Sequence, residues 1–359
     1  MSQEISRWAD AAMYRSEPLQ AKDGPRVTLL NATPDPLGSL AALCAMYEGR
    51  VVRSLAEVTD EQRRQAFADM QATELSGPLE VAQFHFLVEG VTRAFTHQMV
   101  RERQAFFAQE SMRFAVVEGE DWVSRVAYPP SLAAEPPSTQ DYMHGRVDKD
   151  WDQYAVNRDA WDDAIIQAQN SYRHLVAQGV PAEDARGLMP HAMTTRLHWV
   201  LDLRGLLHVA GLRLCTQAQF EWRSVMAQVV LALRDYGTAV HEAAEKAAGK
   251  LLMGSEGGAT GWQFHRIADA LRPVCYQQGR CGFMAKFDRG CTIRERVEAN
   301  ARLGRPSSEW NTDLEETRCT ADSDCPGGEH CGMEETFVIV RAIQPAEWAA
   351  DPTAARRKK

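Results

Sequence analysis

Between Gly90 and Phe114 the chain reads GVTRAFTHQMVRERQAFFAQESMRF. Four arginines, Arg93, Arg101, Arg103 and Arg113, stand inside an apolar and aromatic segment, with Gln98, Glu110 and Ser111 between them. A solvated helix face spaces its charges at a period near 3.6 and mixes their signs. Here the basic groups cluster among bulky apolar neighbours, so some must point into a pocket or an interface. A guanidinium in such a place needs a partner, and a phosphate matches its planar fork of donors. The stretch predicts an anion-binding site with nucleotide phosphate as the leading ligand. Ordinary ion pairs are the competing explanation for the same arginines.

The rest of the chain sets bounds on that reading. Its 359 residues suffice for one large domain with an appendage, or for two domains. A net charge of −9 argues against a dedicated nucleic-acid binder, because backbone affinity comes from clustered positive charge. No apolar run is long enough for a membrane span, and the N-terminus lacks a basic-then-apolar signal pattern, so a cytoplasmic protein is expected. Six of the eight cysteines lie after residue 270, which marks two unlike parts.

Along the chain, residues 1–25 form a polar extension. RVTLL at 26–30 reads as a strand, followed by a turn and an apolar helix over 37–47. A charged helix is expected over 59–71, with Thr59 as N-cap and Gln62 three residues on. EVAQFHFLV at 80–88 alternates as a half-buried strand does. Helix is expected over 92–100, a turning region over 101–114 and a long surface loop over 117–150. Helices are read over 151–178, 182–188, 194–211 and from 216 to about 249. The Gly-rich run GSEGGATG then suggests a boundary near 250–260.

A second block, residues 179–223, repeats the pattern of arginines among apolar residues with Arg186, Arg204 and Arg213. On a helix Arg204 and His208 share a face, and Arg213 and Gln217 are likewise one turn apart.

These residues resemble the flavin-dependent thymidylate synthases, the ThyX type. The family signature Arg-His-Arg, seven residues, Ser and a further Arg stands here as Arg101-Glu102-Arg103 and Ser111-Met112-Arg113. Its usual approach is present as Gly90-Val-Thr-Arg93 and His97-Gln98. The C-terminal pattern is carried by Gly179-Val-Pro181, Ala185-Arg186, Met189-Pro190, Arg204, His208, Leu212-Arg213 and Ala218-Gln219. The resemblance covers roughly 26–245. It implies an α+β fold, a mixed or antiparallel sheet flanked by long helices; with the boundary near 250–260 the catalytic domain covers 26–250, and the cysteine-rich extension over 251–359 lies outside the resemblance.

The activity it implies is reductive methylation of dUMP at C5, with methylenetetrahydrofolate as carbon donor, NADPH as reductant and FAD as cofactor, in a homotetramer. By position, Gln98, Arg101, Glu110, Ser111, Met112 (through its backbone), Arg113, Arg186 and Arg213 would hold the nucleotide. Arg213 would lie against the uracil and stabilise charge as C5 becomes nucleophilic. Ser111 is the other residue placed at the chemistry, although no adjacent general base prepares it as a nucleophile. Glu80, Arg101, Glu102, Arg103, Asp202, Arg204, His208 and Gln217 would face the flavin.

Several positions depart from the family. The central signature histidine is Glu102, an upstream His-x-x-x-x-Glu-His keeps only its acid as Glu80, an asparagine is Asp202 and a histidine is Gln217. Three of these changes lie on the flavin side, and the lost histidines motivate one alternative, a pyrimidine hydroxymethylase or dCMP-acting variant; a non-catalytic nucleotide-binding regulator is a further alternative. In the tail, Cys275, Cys281, Cys291, Cys319, Cys325 and Cys331 are spaced by 5, 9, 27, 5 and 5 residues. Paired zinc ligands are usually separated by two to four residues, so a structural zinc or other metal site competes with free thiols, redox-dependent disulfides and an iron–sulfur cluster.

Overall fold

The computed structural model describes residues 24–73, 75–112, 122–129, 132–133, 151–215, 218–248 and 260–278. Its centre is a four-stranded sheet in the order β1-β2-β4-β3, antiparallel throughout. The strands are β1 (Arg26–Ala32), β2 (Gln83–Thr92), β3 (Ala105–Gln109) and β4 (Thr194–Asp202). Around it lie α1 (Pro36–Tyr47), α2 (Asp60–Ala72), α3 (Arg93–Met99), α4 (Trp151–Ala177), α5 (Ala182–Ala185), α6 (Leu203–Arg213), α7 (Phe220–Ala248), α8 (Gly261–Ala270) and α9 (Val274–Gln278). The α+β class and the antiparallel sheet are as the sequence implies.

Alternation decides which sheet face is covered. Phe84, Phe86 and Val88 of β2 and Leu197, Trp199 and Leu201 of β4 are buried against the helices. The register sets Phe86 opposite Trp199, and Trp199 in turn meets Trp222 of α7 at 6.5 Å between ring centroids. His85 and His198 point to the other face, where their rings approach within 2.9 Å, Nε2 to Nδ1, and β3 leaves Phe106 63% exposed there. A second cluster of Trp122, Val126, Ile165, Tyr172 and Met193 packs under α4.

Two readings of the sequence are corrected. Residues 194–202 are strand, not the start of a helix: the period of two in TTRLHWVLD runs without a break into α6, which conceals the change of period. The turning region contains β3, an edge strand whose exposed Phe106 and Ala108 gave no buried alternation to read. The last long helix begins at Phe220 rather than at 216. Gly90 carries the bulge between β2 and β4 at φ 69°, and a Cβ there would meet the Gly24 carbonyl oxygen at 2.6 Å.

A buried polar network ties the end of the described chain to its beginning. Asp35 caps α1 by accepting from Gly38 N at 2.9 Å. Its carboxylate takes two further bonds from Arg63 of α2, at 3.1 and 2.6 Å, and one from Gln263 Nε2 at 2.8 Å. Gln263 Oε1 then accepts from Leu37 N, one of the helix donors that no carbonyl reaches. Burial opposes charge on Asp35, but the hydrogen bonds from Arg63 and Gln263 outweigh it and hold its pKa below the ordinary value. Phe264, Ile267 and Ala268 of α8 belong to the main core, so that core continues past the boundary expected near 250–260. Replacing Arg63 with methionine leaves a buried carboxylate without its cation, and is expected to cost about 3 kcal/mol in urea unfolding. A loss under about 1 kcal/mol would place this pair among ordinary surface bridges.

Candidate functional site

Both strand-to-helix junctions, β2 into α3 and β4 into α6, carry the residues that the sequence singled out. Thr92 is the N-cap of α3, and its N–H and hydroxyl donate to Glu221 of α7 at 2.8 and 2.7 Å. Gln219 Nε2 adds a third bond to this carboxylate at 3.2 Å. The next two amides of α3 donate to the loop before β4, Arg93 N to Met193 O and Ala94 N to His191 O. Backbone therefore takes up the α3 N-terminus, and its basic side chains, not its dipole, face any ligand. Asp202 caps α6 by accepting from Gly205 N at 2.7 Å.

The first cleft, about 410 Å3, lies between α6 and the segment entering β3, lined by Glu102, Arg103, Ala105, Leu201, Arg204 and His208. Arg204 and His208 share it because they stand one turn apart on α6. Arg204 Nη1 also meets Glu80 Oε1 at 2.5 Å. Arg101 and Arg103 are exposed and, among the described residues, have no ion pair. Ordinary ion pairing does not account for these two.

The second cleft, about 490 Å3, includes Arg93, His97, Met112, Arg186, Pro190 and His191 in its lining. The His97 and His191 rings stack at 5.2 Å. Burial lowers the pKa of the Arg93 guanidinium despite the pull of Glu110, and Arg93 Nη2 donates to the Glu110 carbonyl at 2.7 Å. The Glu110 carboxylate meets Arg196 at 3.2 Å and Arg125 at 3.9 Å.

Arg213 closes α6 and reaches two other elements. It lies with its guanidinium carbon 4.9 Å from the Trp222 ring centre, while Nη2 donates to Glu102 Oε1 at 3.1 Å. Its Nε is buried with no acceptor among the described residues.

The expected flavin-side residues Glu102, Arg103, Arg204 and His208 thus come together, with Glu80 joined through Arg204. Asp202 differs, because its carboxylate caps a helix. Of the expected nucleotide residues, Met112 and Arg186 share the second cleft, Glu110 sits beside it, and Gln98 and Ser111 are exposed. Arg113 and Gln217 lie outside the described residues, as do Cys281, Cys291, Cys319, Cys325 and Cys331; Cys275 is half-buried in α9. Among the described residues, no three or more His, Cys, Asp and Glu side chains form a group able to hold a metal, and no helix is long and apolar enough to cross a membrane. Sequence reasoning missed Arg125, His191 and Arg196. Alternation in β4 could have placed Arg196 on the exposed face; nothing local marks the other two.

An antiparallel α+β protein with two clefts lined by arginine and histidine is a class suited to anionic ligands. A family model described as Thymidylate synthase complementing protein matches residues 28–236, and the chain belongs to that family. It is 32% identical over 207 residues to a flavin-dependent thymidylate synthase of Geobacter sulfurreducens, covering 57% of this chain and 80% of the relative. A flavin-dependent thymidylate synthase of Pyrococcus furiosus is 31% identical over 202 residues, with 56% and 75% covered. Among solved structures, a UMP/dUMP methylase from Streptomyces cacaoi bound with 5-Br UMP is similar at a TM-score of 0.46 and 21% identity, over 66% of this chain and 98% of that one.

Burial raises the pKa of Glu221 even though Thr92 donates to it twice. An acid whose folded pKa is raised holds its proton longer when folded, so its burial penalty is absent below the ordinary carboxylate pKa of about 4.3 and grows as pH rises through the folded value. The unfolding free energy of Glu221→Gln relative to wild type is therefore expected to increase from acid towards neutral pH. Urea midpoints at several pH values give this difference, and a flat or falling one would contradict it.

Proposed function

We propose that this chain is a flavin-dependent thymidylate synthase that methylates dUMP reductively at C5, with methylenetetrahydrofolate supplying the carbon and NADPH the electrons. The observation carrying this reading is the first cleft: Arg103, Arg204 and His208 gather there beside the Glu102–Arg213 pair. That donor set suits FAD, since the cationic side chains match a pyrophosphate and the Ala105 and Leu201 side chains offer apolar contact to a flat ring. When bound, the flavin supplies hydride.

The chain's own residues do the rest. Arg103, Arg204 and His208 hold the cofactor, with Glu80 orienting Arg204. Ser111, Arg113 and Arg186 bind the nucleotide phosphate, each charge-assisted bond contributing roughly 1.5–3 kcal/mol. Glu110 accepts from the sugar. Arg213, through its Nη donors, donates to a pyrimidine carbonyl and stabilises the negative charge that develops on the ring.

We infer a homotetramer in which each site draws on more than one subunit. In support, one protomer divides the nucleotide and flavin residues between two clefts, and it leaves Phe106 bare on the uncovered sheet face. The catalytic unit extends to at least Leu271, because α8 completes its core.

Purified protein incubated with dUMP, methylenetetrahydrofolate, FAD and NADPH is expected to form dTMP, identified by mass spectrometry. A hydroxymethylated product would favour the hydroxymethylase, and dUMP binding without turnover a regulator. Arg186→Ala is expected to weaken dUMP binding by about 1.5–3 kcal/mol in calorimetry. Unchanged affinity would remove Arg186 from the phosphate site.

A further inference from the structure

Glu102 stands where the signature of the family has histidine, and its carboxylate makes one defined contact, to Arg213 Nη2 at 3.1 Å. The Glu102 side chain is 17% exposed and that of Arg213 27%, so water screens this pair less than it would a surface bridge. The backbone of Glu102 is itself held, its N–H donating to Met99 O at 3.1 Å where α3 ends. Arg213 therefore has two supports from different elements: the Trp222 ring beneath it and an anchored carboxylate at its edge.

These supports do different things. Stacking on a ring fixes the plane of a guanidinium but leaves it free to turn within that plane. A carboxylate at one Nη fixes the direction in which the remaining donors point. Arginine has five N–H donors and the bridge takes one, so the bridge aims the side chain without exhausting it. Among the described residues, Nη1 and the second hydrogen of Nη2 are the donors left for a ligand, while Nε is buried.

We propose that Glu102 is a positioning residue that aims Arg213 at the pyrimidine ring, so that the acid replacing a flavin-side histidine serves the nucleotide. This rests on the reading of Arg213 as the residue facing the base. Glu102 acts only through Arg213, and the two form one energetic unit.

A double-mutant cycle on the FAD-loaded full chain tests this with dUMP as the variable substrate. Glu102→Ala is expected to lower kcat/KM by about tenfold, the lower end for losing one charge-assisted bond. Glu102→Gln, which keeps an acceptor oxygen at the same reach, is expected to recover part of the loss. In an Arg213→Gln background, Glu102→Ala is expected to bring little further loss, as coupled neighbours behave. Wild-type kcat/KM in Glu102→Ala would overturn the proposal, as would an equal loss in both backgrounds, or a lowered Tm with unchanged turnover. If the wild type forms no dTMP, the assignment of the reaction falls instead. The cycle is then read from the dissociation constant of dUMP by calorimetry, and additive effects would overturn the proposal there.

Discussion

The position of the site depends on one buried carboxylate. Glu221, 4% exposed, reaches from the first turn of α7 to the Thr92 cap and takes both its N–H and its hydroxyl. This contact sets where β2 stops being strand and where α3 begins, and hence the direction of Arg93 and His97. The same helix supplies Trp222, on which Arg213 lies and against which Phe95 of α3 packs edge-on at 4.8 Å. One turn of α7 thus holds the β2–α3 junction, through Glu221, and the C-terminal end of α6, through Trp222. A buried acid without a cation destabilises unless its oxygens are occupied, and here the occupancy is the junction itself.

Local chemistry was legible where it stayed local. The Thr59 capping box closes as its spacing predicts, with Gln62 N donating to Thr59 Oγ1 and Thr59 N to Gln62 Oε1. Arg204 and His208 share a cleft because helical spacing alone decides it. Strand β4 was concealed because its alternation passes directly into the helical period of α6, with Asp202 as the only punctuation. The polar partnerships were out of reach for a different reason. Glu102 meets Arg213 across 111 positions and Thr92 meets Glu221 across 129, and no local pattern encodes such pairs.

Several arginines around the two clefts are paired with acids, while Arg101 and Arg103 stay exposed with no ion pair among the described residues. Glu80 faces Arg204, Glu102 faces Arg213, and Glu110 faces Arg196 and Arg125. These acids offset the arginines beside the clefts, in keeping with a net charge of −9.

The cap of α1 has a consequence in time as well as in space. The acceptor for Leu37 N is Gln263, 226 positions later. As the chain emerges from the ribosome, α1 can form and Arg63 can find Asp35, but the Leu37 amide has no protein acceptor until α8 has been made. Contacts of such long sequence separation close last because loop entropy opposes them. Helix α1 is therefore finished by the segment synthesised after the long helix α7, and a chain ending before residue 263 would carry this helix with its cap incomplete.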